Sequence, residues 1–132
     1  MTNNMFLVSK SKHSFDETVE KITEAVAKAD WRVIHTHNLQ AIMVKNGYND
    51  VAQTTVMEIC KPALAHGILS DEESRIYSNM LPCRISVYVQ ADGNTYVSRM
   101  NIKDFAAQIG GNVADVMTHA FEGAESIIDS VV

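Results

Sequence analysis

The clearest strand in this 132-residue sequence reads Leu81-Pro82-Cys83-Arg84-Ile85-Ser86-Val87-Tyr88-Val89. Its apolar residues Ile85, Val87 and Val89 alternate with polar ones, which predicts a strand with one buried face. Asp92-Gly93 follows, and both residues tolerate the positive φ that a tight hairpin turn requires. We therefore expect residues 95–100 to return as the next strand.

Three further strands are expected upstream of this hairpin. Residues 6–8 form a short apolar run, which is typical of a strand covered on both faces. In residues 31–37 the period of two places Trp31, Val33, His35 and His37 on one face. In residues 54–60, Met57 and Ile59 share a face, and Cys60 falls on the opposite face.

Helices are predicted between and after these strands. Ser14-Phe15-Asp16-Glu17 is a capping box that begins the first helix, and Pro62 suits the first turn of the second. A third helix begins near Asn101 and stops at Gly110-Gly111. The last helix, amphipathic and C-terminal, carries a coiled-coil-like seam, which we interpret as a candidate contact for a partner chain. The seam residues are Val113, Met117, Ala120, Ala124, Ile127 and Val131. The sequence thus predicts one α+β domain over residues 1–132.

Composition narrows the classes of function. The net charge is -5 and the Lys and Arg residues are scattered singly, so we expect neither nucleic acid nor an anionic membrane as a partner. The N-terminus has no leader-like segment and no run approaches the ~18 apolar residues of a membrane span, which predicts a cytoplasmic protein. In that compartment the two cysteines are expected as thiols. Phosphate-binding, dinucleotide-binding, C-x-x-C and zinc-protease motifs are absent from the sequence.

Cys60 is the candidate reactive residue. It stands where a strand ends and a helix begins, and Lys61 follows it, so a helix N-terminus and a cation both favour its thiolate. The alternative is that Cys60 is a small core residue, although its strand phase opposes this.

Cys83 is expected to be buried, because it is in phase with Ile85, Val87 and Val89, and an apolar environment makes a thiol inert. The relation between Cys83 and Cys60 depends on how their strands are arranged. In antiparallel neighbours the two thiols are close, whereas parallel strands separate them by a strand length. The sequence leaves both arrangements open.

Histidines suggest a metal or haem alternative. His35 and His37 are two apart on a strand and point the same way, and His66 follows Cys60 by six residues. No third ligand lies near the first pair. Six residues on a helix do not share a face, so joint ligation by Cys60 and His66 requires a bent turn. We therefore predict no metal site, and the cofactor stays unassigned.

Two segments resemble a known family. The paired signature of the bacterial and archaeal domain of unknown function 302 family is similar to two segments of this sequence. They are Met57-Glu58-Ile59-Cys60-Lys61-Pro62-Ala63-Leu64-Ala65-His66 and Met80-Leu81-Pro82-Cys83-Arg84-Ile85-Ser86-Val87-Tyr88. In the family a strand ends in a Cys-Asn-Pro or Asn-Pro step, and a Leu-Pro-Cys or Leu-Pro step opens the next strand. The resemblance extends over nearly the whole chain.

The resemblance implies a mostly antiparallel sheet of about five strands with helices on one face, and a homodimer. It implies no established activity, although some members accompany sulfur and redox proteins. Lys61 replaces the usual Asn, and members without either cysteine indicate that a ligand pocket is the shared feature.

From the residues and the resemblance together we predict a small-molecule-binding or thiol-based redox or sulfur-handling module. Its expected site is Cys60, Lys61, Pro62, His66, Pro82 and Cys83, with Cys60 as the catalytic residue if the protein is an enzyme. A haem or metal carrier and a noncatalytic homodimeric interaction protein are the alternatives.

Overall fold

The computed structural model describes residues 5–132, so residues 1–4, part of the segment on which the lack of a leader was predicted, lie outside it. Within this range the strands are β1 (Phe6–Ser11), β2 (Arg32–Asn38), β3 (Thr54–Cys60), β4 (Cys83–Val89) and β5 (Thr95–Met100). The α-helices are α1 (Phe15–Lys28), α2 (Leu39–Lys45), α3 (Pro62–Leu69), α4 (Ile102–Ile109) and α5 (Gly111–Asp129). A 3₁₀ helix spans Arg75–Met80. None of the helices in residues 5–132 has the length and apolar character needed to cross a bilayer.

The strands form one sheet in the order β1-β5-β4-β3-β2, and every neighbouring pair is antiparallel. The predicted α+β class is therefore confirmed, as is the hairpin, in which Gly93 adopts a φ of 81°. One face of the sheet, called here the inner face, carries the buried core. Its fully buried residues are Met57, Ile59, Ile85, Val87 and Val97.

Helices α1 and α5 cover the inner face, as expected. Ser14 caps α1 by accepting a hydrogen bond from the backbone N–H of Glu17 (3.2 Å), which confirms the predicted start. Ile22 and Val26 of α1 and Ile128 of α5 are all 0% exposed and pack on the sheet. Burial of these apolar side chains is what holds the two helices against the strands.

A second, smaller core lies outside the sheet. It joins Ile68 of α3, Ala106 of α4, and Val113 and Met117 from the first half of α5. The second half of α5, with Ala124 and Ile127, belongs to the main core instead, as does Val131, which follows the helix. The seam predicted as a partner contact is thus mostly buried within the chain, and that interpretation is wrong for its buried positions.

Two strand details also differ from the sequence prediction. Strand β1 pairs with β5 alone and leaves Phe6 and Val8 41% and 56% exposed, so it is an edge strand, not one covered on both faces. Strand β2 contains a register shift between Val33 and His35. The extra residue, Ile34, inverts the alternation, so Val33 points inward whereas His35 and His37 lie on the outer face beside Glu58.

Candidate functional site

A cleft of about 380 Å³ lies between the two cores. Its sheet wall is formed where β3 ends, β4 begins and β5 ends, and α3 and the 3₁₀ helix border it. The opposite wall is a stripe of α5 at helical spacing. The α5 residues in the stripe are Val116, Met117, Ala120, Phe121 and Ala124. The lining is mainly apolar.

Both cysteines line this cleft as free thiols. Strands β3 and β4 are antiparallel neighbours in which Ile59 is opposite Cys83, so Cys60 is one position beyond that pair. This resolves the arrangement that the sequence left open. Because successive side chains alternate, Cys60 and Cys83 leave their strands toward opposite faces. A disulfide requires Cβ vectors that converge, so the two thiols are neighbours without the geometry of a bridge.

The cleft raises the pKa of both thiols. Burial among apolar groups raises the pKa of Cys83 to about 11, and the nearby Cys60 adds to the shift. Burial also raises the pKa of Cys60, although this residue is less enclosed. Cys83, which was expected to be buried, is half-buried, and its raised pKa has the direction that burial predicts. For Cys60 the direction is opposite to the one expected from Lys61 and the helix N-terminus.

The other predicted site residues divide into two groups. Lys61 and Pro82 line the cleft beside the thiols, and the Leu81–Pro82 peptide bond is cis. Pro62 begins α3 and His66 is exposed on it, and neither lines the cleft. The structure therefore brings together four of the six predicted residues.

His35 and His37 do share a face, with ring centroids 4.3 Å apart. That face is the outer one, where Nε2 of His37 is 2.7 Å from Oε1 of Glu58. The hydrogen bond to His37 lowers the pKa of Glu58. Among residues 5–132, no group of three His, Cys, Asp or Glu side chains is placed to hold a metal ion.

Most of the lining residues were not among the predicted site residues, and two of these, Trp31 and Arg99, make close contacts with α5. Trp31 is 6% exposed and lies against α5, where a Cβ on Gly123 would stand 2.8 Å from the indole ring. Glycine is therefore what allows this close approach. Arg99 of β5 donates to both carboxylate oxygens of Glu125 (2.6 and 2.7 Å) and to Oγ of Ser9 (2.7 Å). The sequence did contain a signal for Arg99, which is a charged residue in phase with Thr95 and Val97 on the inner face of its strand.

A protein-family model matches nearly the whole chain. The model of the family described as "Domain of unknown function DUF302" matches residues 7–131, from the second residue of β1 to just beyond α5. The chain belongs to this family. The resemblance seen in the two proline-containing segments is thereby confirmed, and the DUF302 match includes every residue of the cleft except Phe6.

A solved structure agrees with the DUF302 fold. The crystal structure of an uncharacterized conserved protein DUF302 from Bacillus stearothermophilus superimposes with a TM-score of 0.87. The alignment covers 98% of this chain and 100% of the other, at 15% sequence identity. At that identity the likeness shows the fold alone. The search of curated proteins found no match.

Proposed function

We propose that this DUF302 protein binds a predominantly apolar small molecule in the cleft between its two cores. The observation that carries the proposal is the cleft itself. Its volume of about 380 Å³ falls in the range of small-molecule sites, and its walls are mainly apolar with a few polar groups at the sheet end. Binding is favourable because a ligand in such a cleft removes apolar surface from contact with water.

The lining favours an adaptable binding site over a rigid one. Three methionines, Met80, Met100 and Met117, face the cleft from the 3₁₀ helix, β5 and α5. The unbranched thioether side chain adjusts its shape at low cost, which suits ligands of varied outline. Binding is also favoured over thiol catalysis, because the pKa of each thiol is raised and the nucleophilic thiolate is scarce at neutral pH.

Binding is testable with the neutral fluorophore N-phenyl-1-naphthylamine. Trp31 is the one tryptophan of the sequence and lines the cleft, so energy transfer from it to the fluorophore reports occupancy. We expect Ala120→Phe to weaken binding about tenfold or more, because the ring fills space between α5 and the sheet. Ala65→Phe, from the α3 wall, should act in the same way.

Ala27→Phe is the matched control, since Ala27 is exposed on α1 and does not line the cleft. Circular dichroism checks that each variant is folded. Absence of energy transfer in the wild type, or equal affinity in folded Ala120→Phe and Ala65→Phe, would contradict the proposal.

A thiol-based redox or sulfur-handling role, with Cys60 as the reactive residue, is the second proposal for the same cleft. Its support is that Cys60 is half-buried at the cleft beside Lys61 and is less enclosed than Cys83. This role requires that the pKa of Cys60, measured from alkylation rates, fall at or below the ~8.5 of free cysteine.

We also propose that the chain forms a homodimer through β1. Phe6 and Val8 are exposed on this edge strand, whose outward backbone groups are a template for pairing with a second copy. We expect light scattering to show a dimer. Val8→Lys should convert the dimer to monomer, because it places a positive charge from each copy at the same interface. Val44→Lys is the control, since Val44 on α2 has a similar exposure of 52%. A wild-type monomer would overturn this proposal.

A further inference from the structure

The charged residues that line the cleft are all basic. The sequence has 16 acidic and 11 basic residues, so acidic side chains dominate the chain as a whole. Yet three basic residues, Lys61, Arg84 and Arg99, line the cleft, and none of the described residues that line it is acidic. This is the reverse of what the overall composition would produce at random.

Arg99 does not contribute a free charge. Its guanidinium donates to both oxygens of Glu125 and is 10% exposed, so the pair is close to neutral within the protein. A ligand would have to break this pair in order to use the charge. The positive charge available to a ligand in the cleft therefore comes from Lys61 and Arg84.

Neither of these two cations is hydrogen-bonded to a counterion, although Arg84 forms a loose ion pair with Glu58. Lys61 makes no ion pair with any residue in the described part of the chain. Arg84 is 69% exposed, and its Nε lies 3.7 Å from Oε2 of Glu58, beyond hydrogen-bond distance. The other oxygen of Glu58 is already bound to His37. Lys61 follows Cys60 at the end of β3. Arg84 alternates with the inner-face Ile85 and leaves the start of β4 on the outer face, so the two cations stand at the rim of the cleft, where the sheet ends.

We propose that the ligand is an anionic amphiphile, with its apolar body in the cleft and a negatively charged headgroup, such as a carboxylate, at Lys61 and Arg84. The inference rests on the proposed binding function and names the chemistry of its ligand. A charge cannot be buried unpaired among apolar side chains, so the headgroup stays at the mouth, where two cations meet it. The apolar chain enters between α5 and the sheet.

The test compares three compounds that share one chain and differ in the headgroup: decanoate, decan-1-ol and decyltrimethylammonium. Each compound is titrated against the protein with bound N-phenyl-1-naphthylamine, and displacement is measured as loss of energy transfer from Trp31. Two partly exposed ion pairs correspond to about tenfold in affinity, so decanoate should bind about ten times more tightly than decan-1-ol. The quaternary ammonium should bind most weakly, and added salt should reduce the preference for decanoate.

The double variant Lys61→Met with Arg84→Gln should bring the affinity for decanoate down to that for decan-1-ol, which should not change. The control is Lys28→Met with Lys45→Gln, which removes the same charge from exposed positions on α1 and α2 and should keep the preference. Equal binding of decanoate and decan-1-ol by the wild type, or a preference that survives in the double variant, overturns the anionic ligand and leaves apolar binding standing. Failure of all three compounds to displace a bound fluorophore overturns the amphiphile, whereas absence of energy transfer from Trp31 to the fluorophore overturns the binding function itself.

Discussion

Iodoacetamide should modify Cys83 about two hundred times more slowly than it modifies free cysteine at pH 8. The reagent reacts with the thiolate, and with a pKa of about 11 only about one Cys83 in a thousand is ionised at that pH. Free cysteine, with a pKa of ~8.5, is about one-quarter ionised. Because the pKa is raised, the rate should keep rising about tenfold per pH unit until pH nears 11. Cys60 should react faster than Cys83 and more slowly than free cysteine.

The measurement uses the single-thiol variants Cys60→Ala and Cys83→Ala, followed by mass spectrometry over a range of pH. Protein unfolded in urea is the control, and there both thiols should react like free cysteine. A rate for Cys83 that levels off near pH 8.5 would show that apolar burial does not govern this thiol. A pKa of Cys60 below ~8.5 would instead support the redox proposal.

Much of the fold is predictable from local pattern. The alternation in β4, the turn at Asp92-Gly93 and the capping box at Ser14 each point to one structure, and all three are confirmed. Helix α2 was missed for a physical reason. It is seven residues long, and Ile42 and Val44 are 42% and 52% exposed, so no buried stripe marks it in the sequence.

The phase of β2 was not predictable in the same way. An extra residue at a bulge has no compositional mark, and a shift by one position moves every later side chain to the other face. The histidines were therefore placed with Trp31, whereas the structure places them with Glu58.

For the candidate site too, features set by neighbouring residues were predictable, whereas features that depend on distant parts of the chain were not. The positions of Cys60 and Lys61 at the end of a strand follow from the residues around them. Whether Cys60 and Cys83 are close to each other depends on the order of the strands in the sheet, which the sequence does not determine. Likewise, the cleft forms because α5 packs in both cores, which the local sequence does not show. Glu125, the ion-pair partner of Arg99, is 26 positions away on another element.

Glu125→Ala should lower the free energy of unfolding by about 3 kcal/mol, the largest effect on stability expected from a single polar residue near the cleft. Removing this carboxylate leaves the guanidinium of Arg99, which is 10% exposed, without its charged partner. A charge left unpaired in such a place costs much more than the pair contributes when intact. Urea unfolding should show the loss as a lower midpoint with an unchanged slope.

Two controls separate the unpaired charge from other causes. Glu17→Ala removes a carboxylate that is 61% exposed and 3.6 Å from His13, and should cost less than about 1 kcal/mol. The double variant Arg99→Met with Glu125→Leu removes both charges and should stay within about 1 kcal/mol of the wild type. Because Arg99 is neutralised by Glu125, this double variant should also keep the preference for decanoate over decan-1-ol. Equal losses of stability in Glu125→Ala and the double variant would mean that packing at this position, not the unpaired Arg99, stabilises the cleft wall.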